Sequence, residues 1–544
     1  MSLDPTADSA RRSKTEAPAA VDVAIIGAGL GGLMAGARLA KAGLRVALFE
    51  SHYVAGGCAT QFRRRGEGGF YHFDVGLHYI GDCEEGGGIP RILDQVGVKL
   101  RYRPMDQQGF DVLKFPGLTF PTPVGHDAYE KRLLETFPSE QPAIAKYLRF
   151  LREVDHVVRY QDKREGPPDL RMAWEVLRHG RMVMRYMQKP IAAVLEDCRL
   201  SPRARGVVLG PHGDYGLPPS RVSALLHAGL VNHYLHGAYY PEGGGQVIAD
   251  RLAATIEEAG GVILLRRPIA QIVVEGGRAV GIRTEATKRT PATEVRAKAV
   301  LSNADLKKTW LELLEPGSLG EQARQQADAW EMAGALFMTC LGVRGDLREL
   351  GMSDANYWIF DTFDIESVYR DCMEAERARI RGIYVTSASL KDPGTQGHAP
   401  DGYQTLEIMT LVPGQPGVWG VPSADATTWS YRHDEAYAQA KQHAEDQVLA
   451  MAEEHFPGLG ARIVYQESAT PLTHARFTRA SGGTGYGLAC TPEQFMRGRP
   501  GYRGPVPGLY QCGASTRAGH GIVGALRSGS QAAQRLAKDL GVSL

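Results

Sequence analysis

Val21-Asp22-Val23-Ala24-Ile25-Ile26-Gly27-Ala28-Gly29-Leu30-Gly31-Gly32 stands near the start of the chain and decides its fold. Residues 21–26 form a short β-branched run, the mark of a buried parallel strand. The run passes directly into a G-x-G-x-x-G turn. Beyond it Leu33, Ala37, Leu39 and Ala40 recur at helical spacing, and Ala42-Gly43 supplies a glycine stop. A second strand is predicted over 44–49 and ends at Glu50. Strand, glycine turn, helix, strand and acid together make a βαβ unit that binds a dinucleotide. The glycines permit a tight turn and let backbone approach the pyrophosphate, which the helix N-terminus attracts. Gly27, Gly29, Leu30, Gly31 and Gly32 are the candidate phosphate contacts. Glu50, followed by Ser51, is placed to accept hydrogen bonds from the adenosine ribose. A bare glycine turn is the bland alternative, and the complete context outweighs it. Residues 21–40 are also long enough to span a membrane, but their glycine spacing divides them into strand and helix.

Working outward, a second glycine pair, Gly56-Gly57 with Cys58, favours FAD over NAD by bringing another backbone segment onto the dinucleotide. Later segments return to the same unit. Gly243-Gly244-Gly245 precedes a predicted helix over 246–258, then a strand at 262–265, a hairpin at 269–274 and 279–283, and a strand at 297–302. Near the C-terminus a strand at 508–512 and a helix at 522–540 flank a glycine-rich turn, repeating the logic of the first. Ile269, Ala270, Asn303, Gly513, Ala514, Gly521, Ile522 and Val523 are the candidate cofactor contacts from these segments. The helix start at the C-terminal turn would set positive partial charge against the flavin pyrimidine.

The expected class is therefore α/β, a Rossmann-type FAD-binding domain joined to a mixed α+β substrate domain. The expected division is a mobile tail over 1–20, the FAD-binding domain at 21–124, 238–310 and 476–544, and the substrate domain at 125–237 and 311–475. With 544 residues the chain has length for two cores. A net charge of +1 gives no field for nucleic acid. Seven scattered cysteines with no CxxC pair support neither a disulfide framework nor a zinc site, and they point to a reducing cytoplasm. Neither H-E-x-x-H nor G-x-S-x-G occurs, so no metal and no acyl-transfer nucleophile is expected.

These segments resemble the carotenoid desaturase, carotenoid isomerase and retinol saturase group of FAD enzymes, within the amine-oxidase-like superfamily of glutathione-reductase type. The resemblance covers nearly all of the chain after residue 20. It rests on the fingerprint, on Gly56-Gly57-Cys58, on Phe73-Asp74-Val75-Gly76-Leu77-His78-Tyr79, on Tyr240-Pro241-Glu242-Gly243-Gly244, on Ser302-Asn303-Ala304 and on 509–533. The block at 73–81 looks most like the retinol saturase branch. That branch implies a lipophilic polyene or isoprenoid substrate, membrane proximity and saturation by reduced flavin. The isomerase and desaturase branches share the cofactor motifs, so cis–trans change and hydrogen removal stay open. No second fingerprint for a nicotinamide is evident, and the electron donor is left unidentified. Related desaturases carry Thr-His-Pro-Gly-small-Gly before the last helix, where this chain has Thr516-Arg517-Ala518-Gly519-His520-Gly521.

That departure makes His520 and Arg517 candidate catalytic groups at the flavin edge: His520 to stabilise the reduced flavin anion or donate a proton, or equally a histidine bonded to neighbouring backbone, and Arg517 to hold flavin negative charge or equally to lie at the protein surface. His78 and Tyr79 are candidates by the resemblance of their block. His233, His236, Tyr239 and Tyr240 form a further cluster, more often structural than catalytic. Residues 171–189 interleave Trp174 and four methionines with Arg171, Arg178, Arg181, Arg185 and Lys189. That pattern fits a helix in a membrane interface, or equally a core helix with a solvated basic face. Two other classes remain: an amine oxidase, and an escort protein that binds prenylated partners without flavin. Peroxide-coupled amine release would mark the first. The intact fingerprint and Glu50 argue against the second.

Overall fold

The fingerprint strand Ala20–Ile26 lies inside a seven-stranded sheet. It pairs in parallel with Val46–Glu50 on one side and Glu294–Ser302 on the other. Val262–Leu265 extends the sheet beyond Val46–Glu50, and Leu509–Gln511 pairs in parallel with Glu294–Ser302. The hairpin Ile269–Glu275 and Arg278–Thr284 joins antiparallel through Arg283 and Glu294. Val23, Ile25 and Leu48 enter one core, beneath the helices Leu30–Lys41 and Gly521–Leu540, while Ala24, Ile26 and Phe49 enter another. Burial on both faces is why these strands read as continuous apolar runs. The computed structural model describes residue 12 and residues 16–162, 170–288, 290–373, 378–395, 397–422 and 430–544.

A second seven-stranded sheet runs Ile463–Ala469, Ala335–Arg344, Tyr403–Val412, Gly382–Thr386, Asn356–Phe360, Asp111–Phe115, Leu118–Thr122. Every neighbouring pair is antiparallel except Asn356–Phe360 with Asp111–Phe115. Helices Gln141–Asp162 and Ala224–Leu235 pack together beside it.

Two expected boundaries shift. The hairpin over 111–122, grouped by sequence with the nucleotide unit, belongs to the second sheet. Its apolar face finds cover there, where Phe115 stacks on Phe360 and Phe363 at 5.1 and 4.7 Å. Conversely Trp330, expected in the substrate domain, packs on Trp310 at 4.8 Å in a core of the nucleotide sheet. Most of the tail expected over 1–20 lies outside the described residues, but Arg12 pairs with Glu257 at 3.0 Å and Ala20 opens the first strand. Residues 171–189 are not one helix. Gly180 leaves helical geometry and divides them into Leu170–His179, with no buried residue, and Arg181–Tyr186, anchored by Met182, Val183 and Tyr186. All seven cysteines are free thiols.

Candidate active site

The first strand ends where its sheet meets the Leu30–Lys41 helix, and the glycine turn between them is clasped from below by Asn303. The Asn303 N–H donates to the Ile26 carbonyl at 2.7 Å, fixing the side chain under the turn. A Cβ on Gly31 would lie 2.5 Å from Asn303 Oδ1, and one on Gly29 would lie 2.8 Å from its Nδ2. The glycines are thus required by the protein's own packing as well as by any phosphate. Gly56 lies against this turn, its N–H donating to the Ala28 carbonyl at 2.8 Å. Glu50 is held at the strand end: Oε2 accepts the Ala28 N–H and Oε1 the His52 N–H, each at 2.8 Å.

These residues open into a cavity of about 2940 Å³. Gly27, Gly29, Leu30, Gly31, Glu50, Ser51, Gly56, Gly57, Cys58, Ile269, Asn303, Gly513, Ala514, Gly521, Ile522 and Val523 all line it. Of the candidate cofactor contacts, Gly32 is packed against the Gly27 carbonyl and Ala270 is exposed on the hairpin, so neither faces the cavity. The helices Leu30–Lys41 and Gly521–Leu540 both begin at its wall, and neither has a side-chain cap on its first turn. Two uncapped helix starts, a glycine cradle and a pinned carboxylate fit a dinucleotide with its pyrophosphate on the first helix. Farther in, the Nε2 atom of His78 is shut from solvent and has no protein partner.

The catalytic candidates fall into two groups. Arg517 lines the cavity but is exposed, while His520 immediately precedes the last helix, with both ring nitrogens engaged elsewhere. Its Nε2 meets the Asp214 carbonyl at 3.2 Å, which requires N–H there. Nδ1 is then left to accept from the Cys490 thiol at 3.3 Å. Burial holds the ring neutral, its pKa lowered to about 4. His520 is therefore tied to the protein as an anchor of Asp214. His78 is likewise neutral, lowered to about 3 by burial and then by Lys391, whose ammonium donates to the His78 carbonyl at 2.6 Å. In the outer histidine–tyrosine cluster, His233 Nε2 accepts the Gly81 N–H, His236 pairs with Asp155 and Tyr240 donates to Asp74.

Tyr79 leads to two acids that the sequence reading did not single out. Its hydroxyl lies 2.9 Å from Asp214 Oδ2 and 3.2 Å from Asp111 Oδ2. Tyr234 stacks on Tyr79, centroids 4.1 Å apart. Burial first, then the mutual proximity of the carboxylates in the case of Asp214, pushes each acid up to about 7. The available signal was Asp111 itself, a carboxylate in the apolar run Phe110-Asp111-Val112-Leu113.

A profile of flavin-containing amine oxidoreductases matches residues 30–339. The chain belongs to that family. It is an FAD-dependent oxidoreductase with the amine-oxidase-like fold. An all-trans-retinol 13,14-reductase from Rattus norvegicus is 29% identical over 542 residues, covering 95% of this chain and 85% of that protein. A chloroplastic prolycopene isomerase from an Oncidium hybrid cultivar is 25% identical, covering 97% and 86%. Cyclohexylamine oxidase from Brevibacterium oxydans superposes with a TM-score of 0.58 at 18% identity, covering 96% of this chain and all of that one, which speaks for the fold alone. Among the described residues no helix is long and apolar enough to cross a membrane.

Proposed function

We propose that this flavoprotein saturates a carbon–carbon double bond of a long polyene or isoprenoid. The observation that carries the reading is the single cavity of about 2940 Å³, several times the usual roughly 300–1,000 Å³ of a small-molecule site. It has room for a dinucleotide at the glycine turn and a long apolar ligand beyond it. Its far walls include Trp358, Phe360, Met338, Met409 and Leu411, surfaces that bury a hydrocarbon chain. The retinol reductase and prolycopene isomerase relatives support the substrate class.

Gly27, Gly29, Gly31, Glu50 and the start of the Gly521–Leu540 helix would hold FAD, which supplies two-electron redox chemistry when bound. The first sheet and its helices serve the cofactor, and the second sheet with the helices over 126–235 serves the substrate. Isomerisation is the second reading, favoured by the prolycopene isomerase relative.

The substrate arrives from a membrane surface. Leu170, Trp174, Leu177, Met184 and Met187 are exposed beside Arg178, Arg181, Arg185 and Lys189. Val158 and Val183, at the base of this patch, line the cavity. Anaerobic titration of the reduced holoprotein with a retinoid or carotenoid tests the assignment. Recovery of the oxidised flavin absorbance is expected, and a flavin that stays reduced with every polyene would contradict saturation.

A further inference from the structure

We propose that Asp214 is the acid that protonates the substrate carbon, and that Tyr79 and Asp111 form its proton relay. The proposal rests on the saturase reading above.

Three geometric facts carry it. Asp214 and Tyr79 line the cavity, whereas Asp111 lies behind them in the core. Tyr79 has one proton to give and two carboxylates within reach. Both contacts are hydrogen bonds together only if one acid is protonated and donates to the phenol oxygen, so the geometry stores a proton beside the cavity. Lastly, the Asp214 carbonyl meets His520 Nε2, and His520 immediately precedes the helix whose first residues line the cofactor end. The backbone that carries the acid is thus one hydrogen bond from the start of that helix.

The polar neighbours favour the ionised acids, burial outweighs them, and none competes for the role. Asn356 donates to Asp111 Oδ1 at 3.1 Å, and Tyr234 bonds Asp214 while stacking on Tyr79. Tyr384 packs near Tyr79, its phenol pushed up by burial. Lys391 is the facing cation, its charge acting on Asp111 from beyond hydrogen-bond range. His520 presents no proton to the cavity.

The step balances as follows. Bound reduced flavin would supply hydride to one carbon of the substrate C=C. The Asp214 O–H bond breaks and a C–H bond forms at the other carbon, leaving Asp214 as carboxylate. Solvent then protonates Asp111, and Tyr79 passes its own proton to Asp214 as it takes one from Asp111. The flavin's two electrons come from an external reductant, dithionite in the experiment.

Difference infrared spectroscopy and product analysis test this on the holoprotein. A protonated-carboxyl C=O band is expected near neutral pH, shifting in D2O and lost in Asp214→Asn. The same variant, with flavin content unchanged, should form saturated product at least ~100-fold more slowly. Tyr79→Phe should keep an acid band, separate the two titrations and slow reprotonation in multiple turnovers but not the first. Asp214→Asn turning over like the wild type, or a wild type with no such band, overturns the proposal. A wild type that saturates no polyene overturns the saturase reading and the donor role with it, whatever the band shows. A saturating wild type with an equally active Asp214→Asn removes only the donor role.

Discussion

Asn303 and the two acids show how single side chains set the limits of this site. Gly31 faces Asn303 Oδ1, so Gly31→Val forces backbone and asparagine apart. The expected outcome is purification with little flavin and a stability loss of roughly 1–3 kcal/mol. A yellow variant of unchanged Tm would show that the turn tolerates a side chain. The acids make a second prediction, with a definite sign. An acid whose native pKa stands above its unfolded value keeps protons that the unfolded chain has lost. Stability therefore falls as pH rises from about 4, the ordinary aspartate range, to about 7, where Asp111 and Asp214 titrate, and is flat beyond. Asp111→Asn should lessen that fall, measured by denaturant unfolding between about pH 5 and about pH 8. An undiminished slope would mean that Asp111 is not held protonated. Turnover should decline through the same window as the protonated donor is lost. At this scale the sequence was half legible. Glu50 announced itself by its place at a strand end, but Asp214 lies far from Asp111 in the chain and only the fold joins them.

At the scale of elements the local signals were strong wherever one turn of chain made its own case. The helix over 246–258 matches Gln246–Glu258, and the hairpin falls at Ile269–Glu275 and Arg278–Thr284. Where an element's cover comes from elsewhere, sequence gave less. The Asp111–Phe115 strand takes its place from Asn356–Phe360, a pairing partner far along the chain that no local pattern announces. The Leu170–His179 helix carries this scale's prediction. Its lack of buried residues leaves Trp174 and Leu177 available to a bilayer, with Arg178 and Arg181 for anionic headgroups. Trp174→Ser with Leu177→Ser should cut sedimentation with anionic liposomes about tenfold or more while detergent-dispersed substrate is still turned over. Unchanged sedimentation would place the membrane contact elsewhere.

Over the whole molecule, two sheets of different construction meet around one cavity. The first sheet, parallel at its centre, delivers two helix starts and a carboxylate to one end, and the largely antiparallel second sheet with its helices walls the other in aromatic and aliphatic side chains. The cofactor half was legible because its chemistry demands glycines at fixed places. The substrate half was not, because apolar walls are built from residues that any core uses. Direction of reaction lies with the proton source, and a stored proton beside the cavity favours adding hydrogen over moving a double bond's geometry. The decisive measurement is the mass of a retinoid or carotenoid after anaerobic incubation with the holoprotein and reductant. The expected result is a product heavier by two hydrogens in water and by two deuteriums in D2O, since the reduced flavin N–H and the Asp214 carboxyl both exchange with solvent. A product of unchanged mass and altered chromatographic mobility would instead make the protein an isomerase and contradict the account.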